Sequence, residues 1–217
     1  MTVRDNDSAV ALFPQFGDKL YFLAFDELSD LTDESLDFTS ERWGWSQWSI
    51  RQNLSHMAFG PYNWFWGRWK EILFPDGLPN GQELDDLLHL ARDRQLDTDK
   101  YWELNDLLAK LRESLNFGRS IMESETVGSC KSKAIEVDST KMWIGLIESG
   151  YGGITLDRYN AGHMHVTLEA TFRHRYFEHI TYLYNIQRLK KAQGLPTAVE
   201  IPIEGYLALP WWNLSQP

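Results

Sequence analysis

The sequence predicts an all-α protein whose four long helices form an up-down four-helix bundle. Two apolar stripes favour this class. Apolar residues between Tyr101 and Leu115 recur at spacings of 3, 4, 3 and 4, and a second stripe runs from Leu168 to Ile186. Such spacing places the side chains on one face of a helix, which needs a partner to bury it. The 217 residues suit a single domain over 1–217 with a sizeable core.

The first two long helices are predicted in the N-terminal third of the chain. The first spans residues 13–29 and the second about 47–73. Ser46 is the candidate N-cap of the second helix, because its hydroxyl can accept a hydrogen bond from a free backbone N–H. Pro61 predicts a kink, since proline removes a donor and clashes with the preceding turn. A shorter helix is expected over 82–94.

Between the third and the last long helix the periodicity weakens. We expect an irregular insertion over 116–162, with a short strand at 133–137 and either a strand or a helical turn at 142–147. The last helix is predicted over 167–193. The tail at 195–217 is punctuated by proline and rich in apolar residues, so it should pack on its own bundle or on a second subunit.

Charge and cysteine content exclude several classes of function. The chain has 21 Lys and Arg against 31 Asp and Glu, a net charge of −10, which argues against a nucleic-acid partner. The single cysteine, Cys130, excludes an intrachain disulfide and any CxxC motif. No segment has the features of a signal peptide or a membrane span. We therefore expect a soluble, cytoplasmic protein without a membrane partner.

His56 is the most informative of the six histidines. It shares a polar strip of the second helix with Ser49, Asn53 and Asn63, while the other faces are apolar. Spacing alone favours a core histidine satisfied by its neighbours, and the alternative is a metal or substrate contact. The remaining histidines outside the last helix, His89 among them, are expected to be solvated.

Residues 48–57, with the sequence Trp-Ser-Ile-Arg-Gln-Asn-Leu-Ser-His-Met, resemble the signature of the DinB-like superfamily (DinB/YfiT-like metalloenzymes). The approach at 28–36 and the last helix, from Val166 to Gly194, are similar to that family in order and spacing. The resemblance covers roughly residues 13–74 and 163–194. It implies an up-down four-helix bundle, commonly a homodimer. Three histidines of that fold hold zinc or nickel. Characterised relatives are transferases and isomerases that use a low-molecular-weight thiol.

Carried over residue by residue, the resemblance gives only part of the metal site. His56 matches the ligand on the second helix, and His179 matches one member of the H-x-x-x-H pair on the last helix. The positions four residues from His179 are Arg175 and Leu183, neither of which is a usual ligand of zinc or nickel. The sequence therefore departs from the family pattern at the second histidine.

The third ligand has three candidates. His174 lies five residues before His179, about 140° away around a regular helix, so only a π-bulge would bring the two rings to one face. His163 or His165 would instead have to reach the site from the preceding loop. The predicted metal set is thus His56, His179 and His174, with His163 or His165 as alternatives.

Three functions remain open from the sequence. The first is a divalent-metal-dependent enzyme, either a hydrolase or a thiol-dependent S-transferase or isomerase acting on a small molecule, with its catalytic residues unassigned. The second is a metal-free bundle in which Arg175 and Asn53 bind an anionic small molecule beside His56, with Trp48 as a wall. The third is a dimeric scaffold without chemistry.

Overall fold

The computed structural model describes residues 3–160 and 162–217, and these are mostly helical with one small sheet. None of the helices in these two ranges is long and apolar enough to cross a membrane. The helices are α1 (Asp18–Leu28), α2 (Asp33–Leu36), α3 (Ile50–Pro61), α4 (Lys70–Leu73), α5 (Gly81–Leu90), α6 (Leu104–Ser124), α7 (Val127–Ser132), α8 (Lys141–Glu148) and α9 (Leu168–Ala192). The strands are β1 (Ala134–Asp138), β2 (Ile154–Leu156) and β3 (His163–Thr167).

Helices α3 and α9 form the centre of the molecule. Helix α3 packs against α6 and α9, and α1 contacts the same two helices. The core between them is built from rings. Phe172 lies 5.5 Å from Phe16 edge-on and 4.5 Å from Phe65, measured between ring centroids. Such pairs bury large areas in favourable geometry, which accounts for much of the high aromatic content.

The N-cap of α3 is Ser49, three residues after the predicted Ser46. Ser49 accepts a hydrogen bond from the Gln52 N–H at 3.2 Å, and the Gln52 side chain accepts one from the Ser49 N–H at 2.9 Å. This reciprocal capping box satisfies two N–H groups at once. The prediction of Ser46 as N-cap is wrong. Its buried hydroxyl donates to the Ser40 carbonyl at 2.6 Å and closes the loop before the helix.

Pro61 divides the predicted second helix. Helix α3 ends at Pro61, and a π-helical segment, Tyr62–Trp66, follows before α4. The Gly67 N–H donates to the Tyr62 carbonyl at 3.1 Å, and the Trp69 N–H donates to the Trp64 carbonyl, so these bonds span five residues. Where the sequence predicts a kink, the chain changes to this wider hydrogen-bond register, a feature common at functional sites.

The predicted irregular insertion over 116–162 is wrong, and so is the all-α class. Helix α6 continues to Ser124, and the remainder forms α7, β1, α8 and β2. Strands β1 and β2 both pair with β3, just after this range, in a three-stranded antiparallel sheet of order β1-β3-β2. The strand predicted at 133–137 is confirmed as β1. Gly118 lies within α6, where a Cβ would be 2.7 Å from the Phe16 ring. The glycine permits close packing inside the helix.

The last long helix is confirmed as α9, and the tail after it packs on its own chain. Tyr206, Leu207 and Leu209 are buried. The buried Arg188 donates to the carbonyls of Asn213, at 2.9 Å, and Ser215, at 3.2 Å. These contacts hold the tail along α9 and place Tyr206 beside the cavity described next.

Candidate functional site

A cavity of about 240 Å³ lies between α3, the π-helical segment, α8 and α9. This volume corresponds to about eight water molecules, at roughly 30 Å³ each. Its apolar wall includes Trp64 and Trp143, whose ring centroids lie 4.7 and 4.6 Å from that of His174. The two central helices contribute His56, His174, Arg175 and Glu178 to its polar lining. A small polar molecule is therefore the kind of ligand that this cavity can hold.

His56 offers one unused acceptor to the cavity. Its Nδ1 lies 2.8 Å from the Arg94 carbonyl, and a carbonyl only accepts, so Nδ1 carries the proton. Nε2 therefore bears a lone pair, and it is buried with no hydrogen-bond partner among residues 3–160 and 162–217. Burial lowers the pKa of His56 to about 4, although the charge of Glu178 opposes this. The ring is neutral at pH 7.

The Arg94 carbonyl is fixed by a strained turn. Asp93 and Arg94 both have left-handed φ values, +49° and +62°, and the backbones of Arg92 and Gln95 pair across them. The chain is tied back to α3 where the Leu96 N–H donates to the Ser55 hydroxyl at 3.0 Å. Such conformations are costly outside glycine, and here the turn holds the carbonyl that orients His56.

Arg175 brings a buried guanidinium into the cavity. The residue is 3% exposed, and its Nη1 donates to the Glu178 carboxylate. Its Nε has no hydrogen-bond partner within the described ranges. A Cβ on Gly60 would lie 1.9 Å from Nη2, so only glycine leaves room for this group. Gly60 follows His56 by one turn on the same face of α3, which sets the guanidinium beside the imidazole.

Tyr206, His174 and Glu178 follow one another behind Arg175: Tyr206 is hydrogen-bonded to His174, and His174 lies close to Glu178. His174 Nδ1 lies 2.5 Å from the Tyr206 hydroxyl, and its Nε2 lies 3.4 Å from Glu178 Oε2. Burial lowers the pKa of His174 to about 4. Burial alone would raise the pKa of Glu178, but the charges of His174 and Arg175 outweigh it and lower that pKa to about 2. At pH 7 Glu178 is ionised and His174 is neutral.

The charges around the cavity favour an anion. Inside, the guanidinium of Arg175 and the carboxylate of Glu178 balance each other. At the exposed mouth Arg68 and Arg94 face the single carboxylate of Asp138. The lining as a whole thus carries an excess of one positive charge, in a chain whose net charge is −10. Arginine forks are well suited to carboxylate and phosphate groups.

The structure does not bring the predicted metal set together. His56 and His174 line the cavity, but His179 does not. Its Nε2 donates to the Leu20 carbonyl at 3.0 Å, so the ring is used in packing α9 against α1. Burial lowers the pKa of His179 to about 3. Helix α9 is a regular α-helix here and has no π-bulge between 174 and 179, so the two rings diverge.

The alternative third ligands lie on the sheet. His163 Nδ1 is 2.6 Å from Glu136 Oε1, and His165 Nε2 is 3.5 Å from Asp157 Oδ2. Both histidines are on β3 and neither lines the cavity. They pair with carboxylates at the surface.

Of the predicted substrate-binding residues, Arg175 lines the cavity and the other two lie next to it. Asn53 donates through Nδ2 to the carbonyls of Trp48, at 3.2 Å, and Ser49, at 2.7 Å. Asn53 and Trp48 line a separate cleft on the other side of Arg94. The three residues thus belong to two adjacent hollows.

Glu178 is the functional candidate that the sequence analysis missed. It follows His174 by four residues, the spacing at which two side chains share a helix face. Counting from His179 leads to Arg175 and Leu183, whereas counting from His174 leads directly to a carboxylate. The signal was therefore present in the sequence, but it appears only when the count begins at His174.

These residues match a metal in chemistry but not in arrangement. Two imidazoles and a carboxylate form a ligand set that divalent cations accept. Within the part of the chain that the structure describes, however, no three His, Cys, Asp or Glu side chains are grouped so as to hold an ion. The Glu178 carboxylate is bonded to Arg175, which already supplies a positive charge there. As arranged, the site does not fit a metal.

Comparison with known proteins gives no relative. No protein-family model, curated protein or solved structure matches the chain.

Proposed function

We propose that the cavity binds a small organic anion that also carries a hydrogen-bond donor, such as a hydroxy acid, without a metal. The observation that carries the proposal is Arg175, a guanidinium 3% exposed beside a 240 Å³ cavity, whose Nε has no partner in the described ranges. A buried charged donor left without a partner is unfavourable. A ligand carboxylate that bonds the guanidinium would remove this cost.

His56 supports the second half of the proposal. Its Nε2 is a buried acceptor without a partner, and it lies on the same face of α3 as the glycine that receives Arg175. A ligand hydroxyl or ammonium group beside the carboxylate would donate to this nitrogen. A plain carboxylate would leave it unpaired, so the site should prefer acids that carry a donor.

The pKa values favour binding over proton transfer. With pKa values of about 4, His56 and His174 are weak bases at pH 7, and Glu178, at about 2, is weaker still. A general base works best when its pKa lies near the working pH. The arrangement is therefore suited to holding a ligand, and we assign it no catalytic residue.

The first test compares glycolate with acetate, which differ by one hydroxyl, by isothermal titration calorimetry. We expect the wild type to bind both and to prefer glycolate by about tenfold, as for one added hydrogen bond to a buried group. Arg175→Gln should abolish binding of both acids. Arg173→Gln is the matched control, because Arg173 also pairs with a glutamate on α9 but lies outside the cavity.

His56→Leu separates the two halves of the site. It should keep acetate binding and remove the preference for glycolate, since only the acceptor is lost. Equal binding of both acids by the wild type would contradict the role of His56. Undiminished binding by Arg175→Gln would contradict the whole proposal.

The second candidate is the metal-dependent hydrolase or thiol-dependent transferase that the DinB-like resemblance implies. The free Nε2 of His56 and the i, i+4 pair His174 and Glu178 favour it. Elemental analysis of the purified protein tests it. About one zinc or nickel ion per chain, lost in both His56→Leu and Glu178→Gln, would establish it and overturn the metal-free proposal.

We also propose the DinB-like up-down bundle and the homodimer. The mutual packing of α1, α3, α6 and α9 supports the bundle. The homodimer rests on the resemblance alone. Light scattering coupled to size-exclusion chromatography would test the dimer, and a mass of 25 kDa would refute it.

A further inference from the structure

A second hollow adjoins the cavity and has a different chemistry. This cleft has a volume of about 250 Å³. Its lining combines three rings with three amide side chains: Trp45, Trp48, Tyr182, Gln47, Asn53 and Asn185. Rings offer flat apolar faces, and amides offer hydrogen bonds at their edges. A cleft of this composition suits a planar group with a polar rim.

Two side chains separate the cleft from the cavity. Arg94 lines both hollows, is exposed, and holds its guanidinium 5.1 Å from the centroid of the Trp48 ring. No ion pair is formed by Arg94 in the parts of the chain that the structure describes. His56 lines the cavity, and its ring centroid lies 4.3 Å from that of Tyr182. The two hollows are thus about one side chain apart.

We propose that these hollows form one site for an acid that carries an aromatic ring on a short spacer. This inference rests on the proposed function, since the carboxylate end occupies the cavity on Arg175. The ring lies in the cleft beside Trp48 and Tyr182, which are stacked on each other with ring centroids 6.1 Å apart and planes inclined by 18°. Arg94 covers the junction, because a planar guanidinium stacks on rings and also attracts the carboxylate.

The amides add a preference at the ring edge. Asn53 donates both of its described bonds through Nδ2, to the carbonyls of Trp48 and Ser49, which leaves its Oδ1 as an acceptor. A heteroaromatic N–H, as in indole, would donate to such an oxygen, and a phenyl ring would not. The ligand class is therefore an aryl or heteroaryl acid.

A series of acids with increasing spacers tests the joined site by calorimetry. The probes are benzoate, phenylacetate, 3-phenylpropionate and indole-3-acetate. Each is compared with the ring-free acid of the same chain and with its neutral amide. We expect one spacer length to bind about tenfold more tightly than its ring-free acid, the gain typical of one stacked ring. The amides should bind at least tenfold more weakly than the acids, since they lack the charge that Arg175 recognises.

Variants assign the gain to the cleft. Tyr182→Leu should remove the advantage of the ring, so that each aryl acid binds only as tightly as its ring-free counterpart, and circular dichroism checks that it folds. Tyr184→Leu is the matched control, because Tyr184 is also half-buried on α9 but does not line the cleft. An advantage of the ring that survives Tyr182→Leu would overturn the assignment.

The outcomes separate this inference from the proposed function. If acetate and glycolate bind but no aryl acid exceeds its ring-free counterpart, the joined site is refuted and the anion site stands. If neutral amides bind as well as acids, the cleft takes rings alone and the joined site is again refuted. If no acid of either kind binds, both proposals fall.

Discussion

Helix α9 carries two buried ion pairs, and their surroundings differ. Near its C-terminus, Lys190 and Glu27 form an ion pair at 2.7 Å, and both are almost fully buried. Lys190 also donates to the Glu27 carbonyl at 2.6 Å. In its N-terminal half, Arg175 and Glu178 form the second buried pair.

In the C-terminal pair, both carboxylate oxygens of Glu27 meet groups of the protein: Oε1 lies 2.7 Å from Lys190 Nζ, outside hydrogen-bond geometry. Glu27 Oε2 accepts hydrogen bonds from the Gln187 side chain at 2.8 Å and from the N–H groups of Ala198 and Val199 at 3.0 and 3.1 Å. These bonds join α1, α9 and the tail, and none of the three donors is free for another partner. A buried network whose charges are paired within the protein holds structure.

The cavity pair differs in where its unpaired atoms lie. Arg175 Nε and His56 Nε2 have no hydrogen-bond partner in the described ranges, and both residues line a cavity. Because nearly all buried polar groups in proteins are paired, unpaired groups that converge on one hollow indicate a binding site. The comparison therefore distinguishes a polar cluster that stabilises the fold from one that awaits a ligand.

Breaking the ion pair between Lys190 and Glu27 should have the largest effect on stability. Lys190→Met leaves the Glu27 carboxylate buried without its cation, and we expect a loss of about 3–5 kcal/mol in the free energy of unfolding. Urea denaturation measures it. Adding Glu27→Gln to this variant should recover part of the loss, since no charge is then buried. A loss below about 1 kcal/mol would show that the pair is not structural.

Gly60→Ala should affect the cavity end by a smaller amount. The new Cβ would lie 1.9 Å from Arg175 Nη2 and would force the guanidinium out of the site. Overpacking of this kind costs about 1–3 kcal/mol. Binding of glycolate should be lost as well, which calorimetry would show. Gly152→Ala is the control, because a Cβ there meets nothing within 4 Å; retained binding in Gly60→Ala would contradict our placement of Arg175.

Acid should destabilise the folded protein through its three buried histidines. His56, His174 and His179 have folded pKa values of about 4, 4 and 3, below the ordinary 6.5. The unfolded chain therefore binds more protons below pH 6.5, and stability falls as pH falls from 6.5 towards 4. Each histidine adds a slope of about 1.4 kcal/mol per pH unit.

Urea denaturation at pH 7, 6 and 5 checks this slope. His179→Gln should lower it by one histidine's share, because the amide can still donate to the Leu20 carbonyl but does not titrate. His89→Gln, at an exposed position of α5, is the matched control. An identical slope in wild type and His179→Gln would contradict the buried, neutral state of His179.

Much of the fold was predictable where one pattern dominates. The apolar stripe of α9 and the short strand β1 were found from local sequence. Helix α6 was cut short at 116, because the apolar periodicity weakens there. Gly118 lies in the part of the helix that was missed. Its role is visible only with Phe16 and Phe65 packed against it, at distances of 2.7 and 3.1 Å from a Cβ built there. Local propensity does not encode such tertiary contacts.

The site was predictable in part. His56, Arg175 and His174 were candidates from the sequence, and the structure gathers them around one cavity. Glu178 was overlooked because the count began at His179. His179 itself contributes to the core, since its Nε2–H donates a hydrogen bond to the Leu20 carbonyl. Spacing finds which residues share a face, but only packing decides which face meets the cavity.

The glycine at position 60 also has an evolutionary consequence. A glycine that exists to admit one guanidinium has no reason to persist without it, so Gly60 and Arg175 should be inherited or lost together. Homologues with a larger residue at 60 should lack the arginine, which would release Glu178 beside His174. A pair of substitutions would then let a metal ion take the place of the Arg175 guanidinium beside Glu178. Glycine at 60 would mark which lineages had not made that change.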